Sequence, residues 1–104
     1  MTIKHELDMG AIEAFCRKWR IRELALFGSA VRGALGPDSD IDILVSFDEE
    51  ADWSLLDHAR METDLSEVLG RRVDLVSRRG IERSRNEVRR QAILESAEPI
   101  YRAA

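Results

Sequence analysis

The sequence has little of what secreted and membrane proteins require. It contains a single cysteine, Cys16, which excludes an internal disulfide framework and indicates a reducing compartment. No stretch approaches the roughly 18 consecutive apolar residues that a membrane-spanning helix needs. The first residues also lack the apolar core of a signal peptide. We therefore expect a cytoplasmic protein with no membrane partner.

Length and composition limit the domain organisation. The 104 residues, of which 44% are hydrophobic, suffice for one apolar core and leave no room for a second. We therefore expect residues 1–104 to form a single domain.

The net charge of −4 conceals two segments of opposite sign. Residues 36–69 contain eleven acidic residues and one arginine, whereas residues 70–90 contain eight arginines and three acidic residues. The acidic segment can collect divalent cations, and the basic segment can attract polyphosphate, nucleic acid or an acidic partner. Both segments are also compatible with solvated helix faces of opposite sign.

Apolar periodicity and turn residues predict helices that alternate with strands. The first helix is expected after Asp8, and Ser54 is expected to begin a second that ends before Gly70, with Asp57 as its reciprocal cap. A short helical segment over 29–35 and a last helix over 83–97 are also predicted. Strands are expected over 21–27, 40–47, 73–76 and, at a sheet edge, 100–101.

The lengths of the connections predict the directions of the strands. About eleven residues separate the first two strands, fewer than a parallel crossover usually needs, so these strands should be antiparallel. A helix of adequate length joins the second and third strands, which favours a parallel, right-handed crossover. Gly28, at the end of the first strand, should then lie at the same sheet edge as Asp40, Asp42 and Asp74.

The three aspartates at this edge suit a metal ion. Asp40 and Asp42 are two residues apart on a strand, so their carboxylates point to one face, and Asp74 lies level with them. Crowded carboxylates repel one another unless a cation is present. Oxygen ligands with open coordination positions suit Mg²⁺, and two such ions can stabilise the attacking and leaving oxygens of an in-line displacement. We predict these aspartates as catalytic and metal-binding residues.

The turn before them suits a phosphate. Gly28 lets the backbone approach a ligand closely, and the N–H groups that follow it at a helix start favour an anion. The Ser29 hydroxyl can donate to a phosphate oxygen, and Arg32, one turn later, can contact phosphate or a neighbouring carboxylate. Each pattern alone has a plainer explanation as a turn, a solvated loop or an exposed strand edge. Their order and spacing together make the nucleotide site the more specific interpretation.

These residues have a family resemblance. Gly28-Ser29-x-x-Arg32-Gly33, followed by Pro37-Asp38-Ser39-Asp40-x-Asp42-x-Leu44-Val45, resembles the signature of the DNA polymerase beta-like nucleotidyltransferase superfamily. The small size, and a tail from Val88 through Tyr101, are similar to its minimal members, the MNT-domain proteins usually encoded beside a HEPN-domain protein. The resemblance covers roughly residues 20–102. One departure is Ala34, where many relatives carry an acidic residue, which leaves the setting of Arg32 open.

The resemblance implies a fold and an activity. The fold would be α+β with two layers: a small mixed β-sheet with helices packed on one face. Asp40, Asp42 and Asp74 would bind Mg²⁺, two ions in all, and Gly28 and Ser29 would hold the triphosphate of ATP, the co-substrate. The reaction would move AMP to a hydroxyl, and some MNT proteins are antitoxins that modify a tyrosine of a HEPN ribonuclease toxin.

Other interpretations stay open. The domain can instead be a non-catalytic antitoxin that occludes its HEPN partner, or a small-molecule enzyme like the aminoglycoside nucleotidyltransferases. The arginines between Arg78 and Arg90 also leave RNA-directed transfer open, although nucleic acid is not the favoured partner. The sequence decides neither the preferred nucleotide nor the acceptor hydroxyl.

Overall fold

Helices and strands alternate along the chain, as the apolar periodicity predicts. The computed structural model describes residues 7–28, 31 and 40–103. Within this part the helices are α1 (Met9–Lys18), α2 (Leu55–Leu69), α3 (Arg78–Glu82) and α4 (Glu87–Ser96). The strands are β1 (Ile21–Phe27), β2 (Ile41–Phe47), β3 (Val73–Ser77) and β4 (Glu98–Arg102). The helical segment predicted over 29–35 falls, apart from Val31, outside the described residues.

One mixed sheet joins the described strands in the order β3-β2-β1-β4. β1 is antiparallel to β2, and β2 is parallel to β3, so both directions predicted from the connection lengths are confirmed. β4 pairs antiparallel with the other side of β1 and is longer than the predicted edge strand. Pro99 is accommodated in β4 because an edge strand can do without one N–H group. The predicted α+β fold with a small mixed sheet is confirmed.

Side chains cap the first two helices at the predicted positions. The Asp8 carboxylate accepts a hydrogen bond from the Ala11 N–H at 3.1 Å and begins α1. At α2, the Ser54 hydroxyl accepts from the Asp57 N–H at 3.1 Å, and the Asp57 carboxylate accepts from the Ser54 N–H at 3.0 Å. Gly70 ends α2 in the left-handed conformation, with φ 68°. The local signals at these helix ends therefore predict the boundaries correctly.

The last helix predicted over residues 83–97 is present but starts later. It is α4 (Glu87–Ser96), which begins where the Asn86 side chain accepts from the Arg89 N–H at 3.1 Å. The short helix α3 was not predicted; it begins directly after β3, where the Ser77 hydroxyl accepts from the Gly80 N–H at 3.0 Å.

The larger apolar core lies between the sheet and the first two helices. Ile41, Ile43 and Val45 of β2 point to this face and pack with Ile12 of α1 and Met61 of α2. Burial of such side chains contributes about 1.5–3 kcal/mol each. No helix within the described ranges is both long and apolar enough to cross a membrane.

A smaller apolar cluster lies on the opposite face of the sheet. Ala25, Phe27 and Leu44 pack there against Ile81 of α3 and Ile93 of α4. α1 and α2 thus pack on one face as predicted, while the two short C-terminal helices add a partial layer on the other. This second face also carries the side chains of the candidate site.

Candidate active site

Asp42 and Asp74 lie side by side on neighbouring strands. The parallel register of β2 and β3 pairs these two residues directly. Both alternate with residues of the larger core, so their side chains point to the face opposite α1 and α2. Asp42 is partly buried and Asp74 is exposed. The predicted convergence of acidic residues from two strands at this edge is therefore present in the backbone.

Asp40 stands just before β2 and is held by an arginine. Its Oδ1 atom lies 3.3 Å from Nε of Arg72, the residue just before β3. The main chains are joined at the same place, because the Ile41 N–H donates to the Arg72 carbonyl at 2.9 Å. Sequence reasoning missed Arg72. Its position two residues before Asp74, at the start of a predicted parallel strand, was the available signal.

Gly28 brings the end of β1 close to the Asp42 carboxylate. Its φ is +67°, in the left-handed region that favours glycine. A Cβ atom added at this position would lie only 2.6 Å from Asp42 Oδ2. Of the predicted site residues, Gly28, Asp40, Asp42 and Asp74 therefore share one edge of the sheet. The predicted phosphate-binding residues Ser29 and Arg32 lie outside the described residues.

The acidic residues fit a divalent cation in the chemistry of their ligand atoms. All three donors are carboxylates, the oxygen ligands that Mg²⁺ prefers, and the space beside Asp42 exists because Gly28 has no side chain. As they stand, however, no three His, Cys, Asp or Glu side chains in the part that the structure describes are arranged to hold a metal ion. One of the three carboxylates, that of Asp40, is in contact with Arg72.

Two other features lie away from this edge. A cleft of about 640 Å³ lies at the opposite edge of the sheet, where Trp53, His58 and Ser77 are among its walls. Cys16 is buried within the larger core. Burial raises the pKa of its thiol to about 12, so Cys16 is not a nucleophile near neutral pH. Neither feature contributes to the Gly28 edge.

A mixed sheet that presents paired aspartates beside a left-handed glycine has the layout of a nucleotidyltransferase. The sequence model for the nucleotidyltransferase domain matches residues 9–98, and the chain belongs to this family. The predicted enzyme class is thereby confirmed at the level of the family.

Curated relatives place the chain more closely. It is 49% identical over 59 residues to the protein adenylyltransferase MntA of Thermococcus cleftensis, a match that covers 57% of this chain and 58% of that protein. A match to a relative in Methanocaldococcus jannaschii covers 64% of that relative. The chain therefore spans less than two thirds of the length of these curated relatives.

Solved structures show the same fold. A proposed minimal nucleotidyltransferase is 36% identical, with a TM-score of 0.68 over 95% of this chain and 96% of that one. A toxin–antitoxin complex with AMP-PNP has a TM-score of 0.71 at 24% identity and covers 93% of this chain and 75% of that one. A complex of a tri-AMPylated Shewanella oneidensis HEPN toxin with an MNT antitoxin has a TM-score of 0.60 at 22% identity. This match covers 90% of this chain and 69% of that one. The last two likenesses show the fold alone.

Proposed function

We propose that this protein moves AMP from ATP to a tyrosine hydroxyl of a HEPN-domain toxin and thereby acts as its antitoxin. The observation that carries the proposal is the direct pairing of Asp42 with Asp74 beside the left-handed Gly28. This arrangement provides oxygen ligands and close backbone approach at one sheet edge. We further propose that residues 1–104 act as one domain in the cytoplasm.

The compared proteins support the proposal in two ways. The Thermococcus relative is named a protein adenylyltransferase, which supports a protein acceptor. Structures of the same fold are complexes that contain AMP-PNP or an AMPylated HEPN toxin, which supports ATP as the nucleotide and a HEPN protein as the partner. These proteins share with this chain the strand arrangement that places its aspartates together.

In the proposed reaction, the acceptor oxygen forms a bond to the α-phosphorus of ATP. The bond from that phosphorus to the bridging oxygen breaks, pyrophosphate leaves, and the hydroxyl proton is released. Asp40, Asp42 and Asp74 would hold Mg²⁺, which when bound supplies positive charge for the attacking and leaving oxygens. Gly28 leaves room for the triphosphate beside the carboxylates, and Ser29 is proposed to donate to it together with Arg32.

The direct test is the mass of the partner. The protein is mixed with ATP, Mg²⁺ and a HEPN-domain toxin, and the intact masses are measured. We expect the partner to gain one or more AMP groups, and Asp42→Asn to slow this transfer by about 10²-fold or more. Asp52→Asn is the matched control, because it removes the same charge from an exposed residue beside the cleft at the opposite edge. Equal transfer by the two variants would contradict the assignment of Asp42.

One observation favours a second candidate function. Because no three acidic residues in the described ranges form a ready metal site, the domain can also be a non-catalytic antitoxin that covers its partner. In that case the partner's mass stays unchanged while a stable complex inhibits it. Asp42→Asn would then inhibit as well as the unaltered protein does.

A further inference from the structure

Within the described residues of the candidate site, an arginine is in contact with one of the predicted metal-binding carboxylates. Two cross-strand rows of residues can be recognised at the start of β2 and β3. Asp42 and Asp74 form one row through their direct pairing. Asp40 and Arg72 form the second row. Each lies one residue before the paired Ile41 and Val73, and their side chains are in contact. Arg72 is therefore in contact with one of the three carboxylates that are predicted to bind metal.

The contact between Arg72 and Asp40 is exposed and easily exchanged. The Arg72 side chain is 83% exposed and the Asp40 side chain is 50% exposed. An ion pair as exposed to solvent as this one contributes only about 0.2–1 kcal/mol to stability. The main-chain bond from the Ile41 N–H to the Arg72 carbonyl keeps the two residues adjacent whether or not the side chains meet. The structure thus combines a fixed backbone with a weak side-chain contact.

A divalent cation and the Arg72 guanidinium compete for the Asp40 carboxylate. Both are stabilised by the negative charge of Asp40, and they repel each other, so they cannot both use its carboxylate fully. A divalent ion has twice the charge of the guanidinium and is attracted by all three carboxylates. Exchange at Asp40 is therefore favourable when such an ion is available.

We propose that Arg72 is a positioning residue that holds Asp40 while no divalent cation is bound and releases it when one binds. The proposal rests on the proposed function, since it concerns the same metal-binding aspartates. By holding Asp40, Arg72 lowers the affinity for a metal that arrives without nucleotide.

The test measures metal affinity in the absence of nucleotide. Mn²⁺ binding to the full-length protein is followed by electron paramagnetic resonance, with Mg²⁺ as competitor. We expect Arg72→Gln to bind Mn²⁺ about two- to fivefold more tightly, since the variant frees Asp40 and removes a repelling charge. Arg72→Lys keeps the charge and should bind like the unaltered protein. Arg85→Gln is the matched control, because Arg85 is exposed and has no ion pair among the described residues.

Thermal unfolding provides a second readout. Without metal, Arg72→Gln should have a slightly lower Tm than the unaltered protein, because Asp40 loses its ion-pair partner. Mn²⁺ should raise the Tm of this variant more than that of Arg85→Gln. Unchanged or weaker Mn²⁺ affinity in a folded Arg72→Gln variant would overturn the proposal.

The remaining outcomes separate this proposal from the proposed function. If the unaltered protein and every variant fail to bind Mn²⁺, both the role of Arg72 and the metal-binding assignment of the aspartates are refuted. If Arg72→Gln tightens Mn²⁺ binding while the HEPN partner never gains AMP, the role of Arg72 is supported and the proposed acceptor is wrong.

Discussion

Two glycines have nearly the same backbone conformation and very different surroundings. The φ of Gly28 is +67° and that of Gly70 is +68°. A Cβ added at Gly28 would lie 2.6 Å from Asp42 Oδ2, whereas one added at Gly70 would meet no atom within 4 Å. Gly28→Ala and Gly70→Ala therefore separate the cost of a strained backbone from the displacement of the Asp42 carboxylate.

The two variants should lose similar stability. Alanine in the left-handed region costs about 1–2 kcal/mol, and each kcal/mol lowers the Tm of a domain of this size by about 4–8 °C. The close contact at Gly28 adds little, because Asp42 Oδ2 is the end of a side chain that can rotate away. We expect the free energies of unfolding of the two variants to agree within about 0.5 kcal/mol in urea titrations.

Their activities should differ. Alanine at Gly28 moves the carboxylate that the site needs, and a displacement of about 1 Å can slow an enzyme by about 10²-fold. We expect AMP transfer by Gly28→Ala to fall by about that factor and transfer by Gly70→Ala to stay within about twofold, both measured from the mass of the partner. Full transfer by a folded Gly28→Ala variant would refute the importance of this contact. Equal loss in both variants would show that strain alone matters.

Two further predictions concern stability away from the candidate site. Ser54→Ala removes the side-chain cap of α2 and should lower the free energy of unfolding by about 1 kcal/mol with AMP transfer unchanged; an unaltered urea midpoint would contradict the role of the cap. Hydrogen bonds from Lys18 first, and then from Trp19, hold the pKa of Asp64 below its ordinary 3.8. Ionised Asp64 therefore stabilises the fold fully above about pH 3.8, and this stabilisation is lost as the pH falls through the lowered pKa of Asp64. The Lys18–Asp64 pair is exposed, so its contribution is no more than about 1 kcal/mol. Urea titrations from about pH 6 to about pH 3 should show a weaker loss of stability on acidification in Asp64→Asn than in the control Asp52→Asn.

Local signals made much of this fold predictable. Helix caps depend on a few adjacent residues, so Asp8, Ser54 and Gly70 could be recognised from sequence alone. Strand directions depend on connection length, which is enough to predict that Gly28 and Asp74 lie at the same edge. Both predictions rest on short-range geometry that tertiary packing seldom overrides.

The rest could not be read from apolar spacing or connection length. The helix α3 is only five residues long and begins at the Ser77 cap, and α4 begins after Asn86, four residues beyond the predicted start of the last helix. The contact of Arg72 with Asp40 follows from the β2–β3 register, which connection lengths do not determine. The metal-binding roles of the aspartates, and the roles of Ser29 and Arg32, stay predictions.

The position of β1 has a consequence for how the chain folds during synthesis. β1 lies inside the sheet, yet one of its neighbours, β4, comes from the far end of the sequence: Arg102 donates to Glu23 across 79 residues at 2.9 Å. Such distant pairing forms slowly, because a long loop must close first. Until residues 98–102 leave the ribosome, the N–H and C=O groups of Glu23–Leu26 on the side away from β2 have no partner strand and can pair with other chains. A nascent chain that stalls before β4 is therefore the form of this protein most exposed to aggregation.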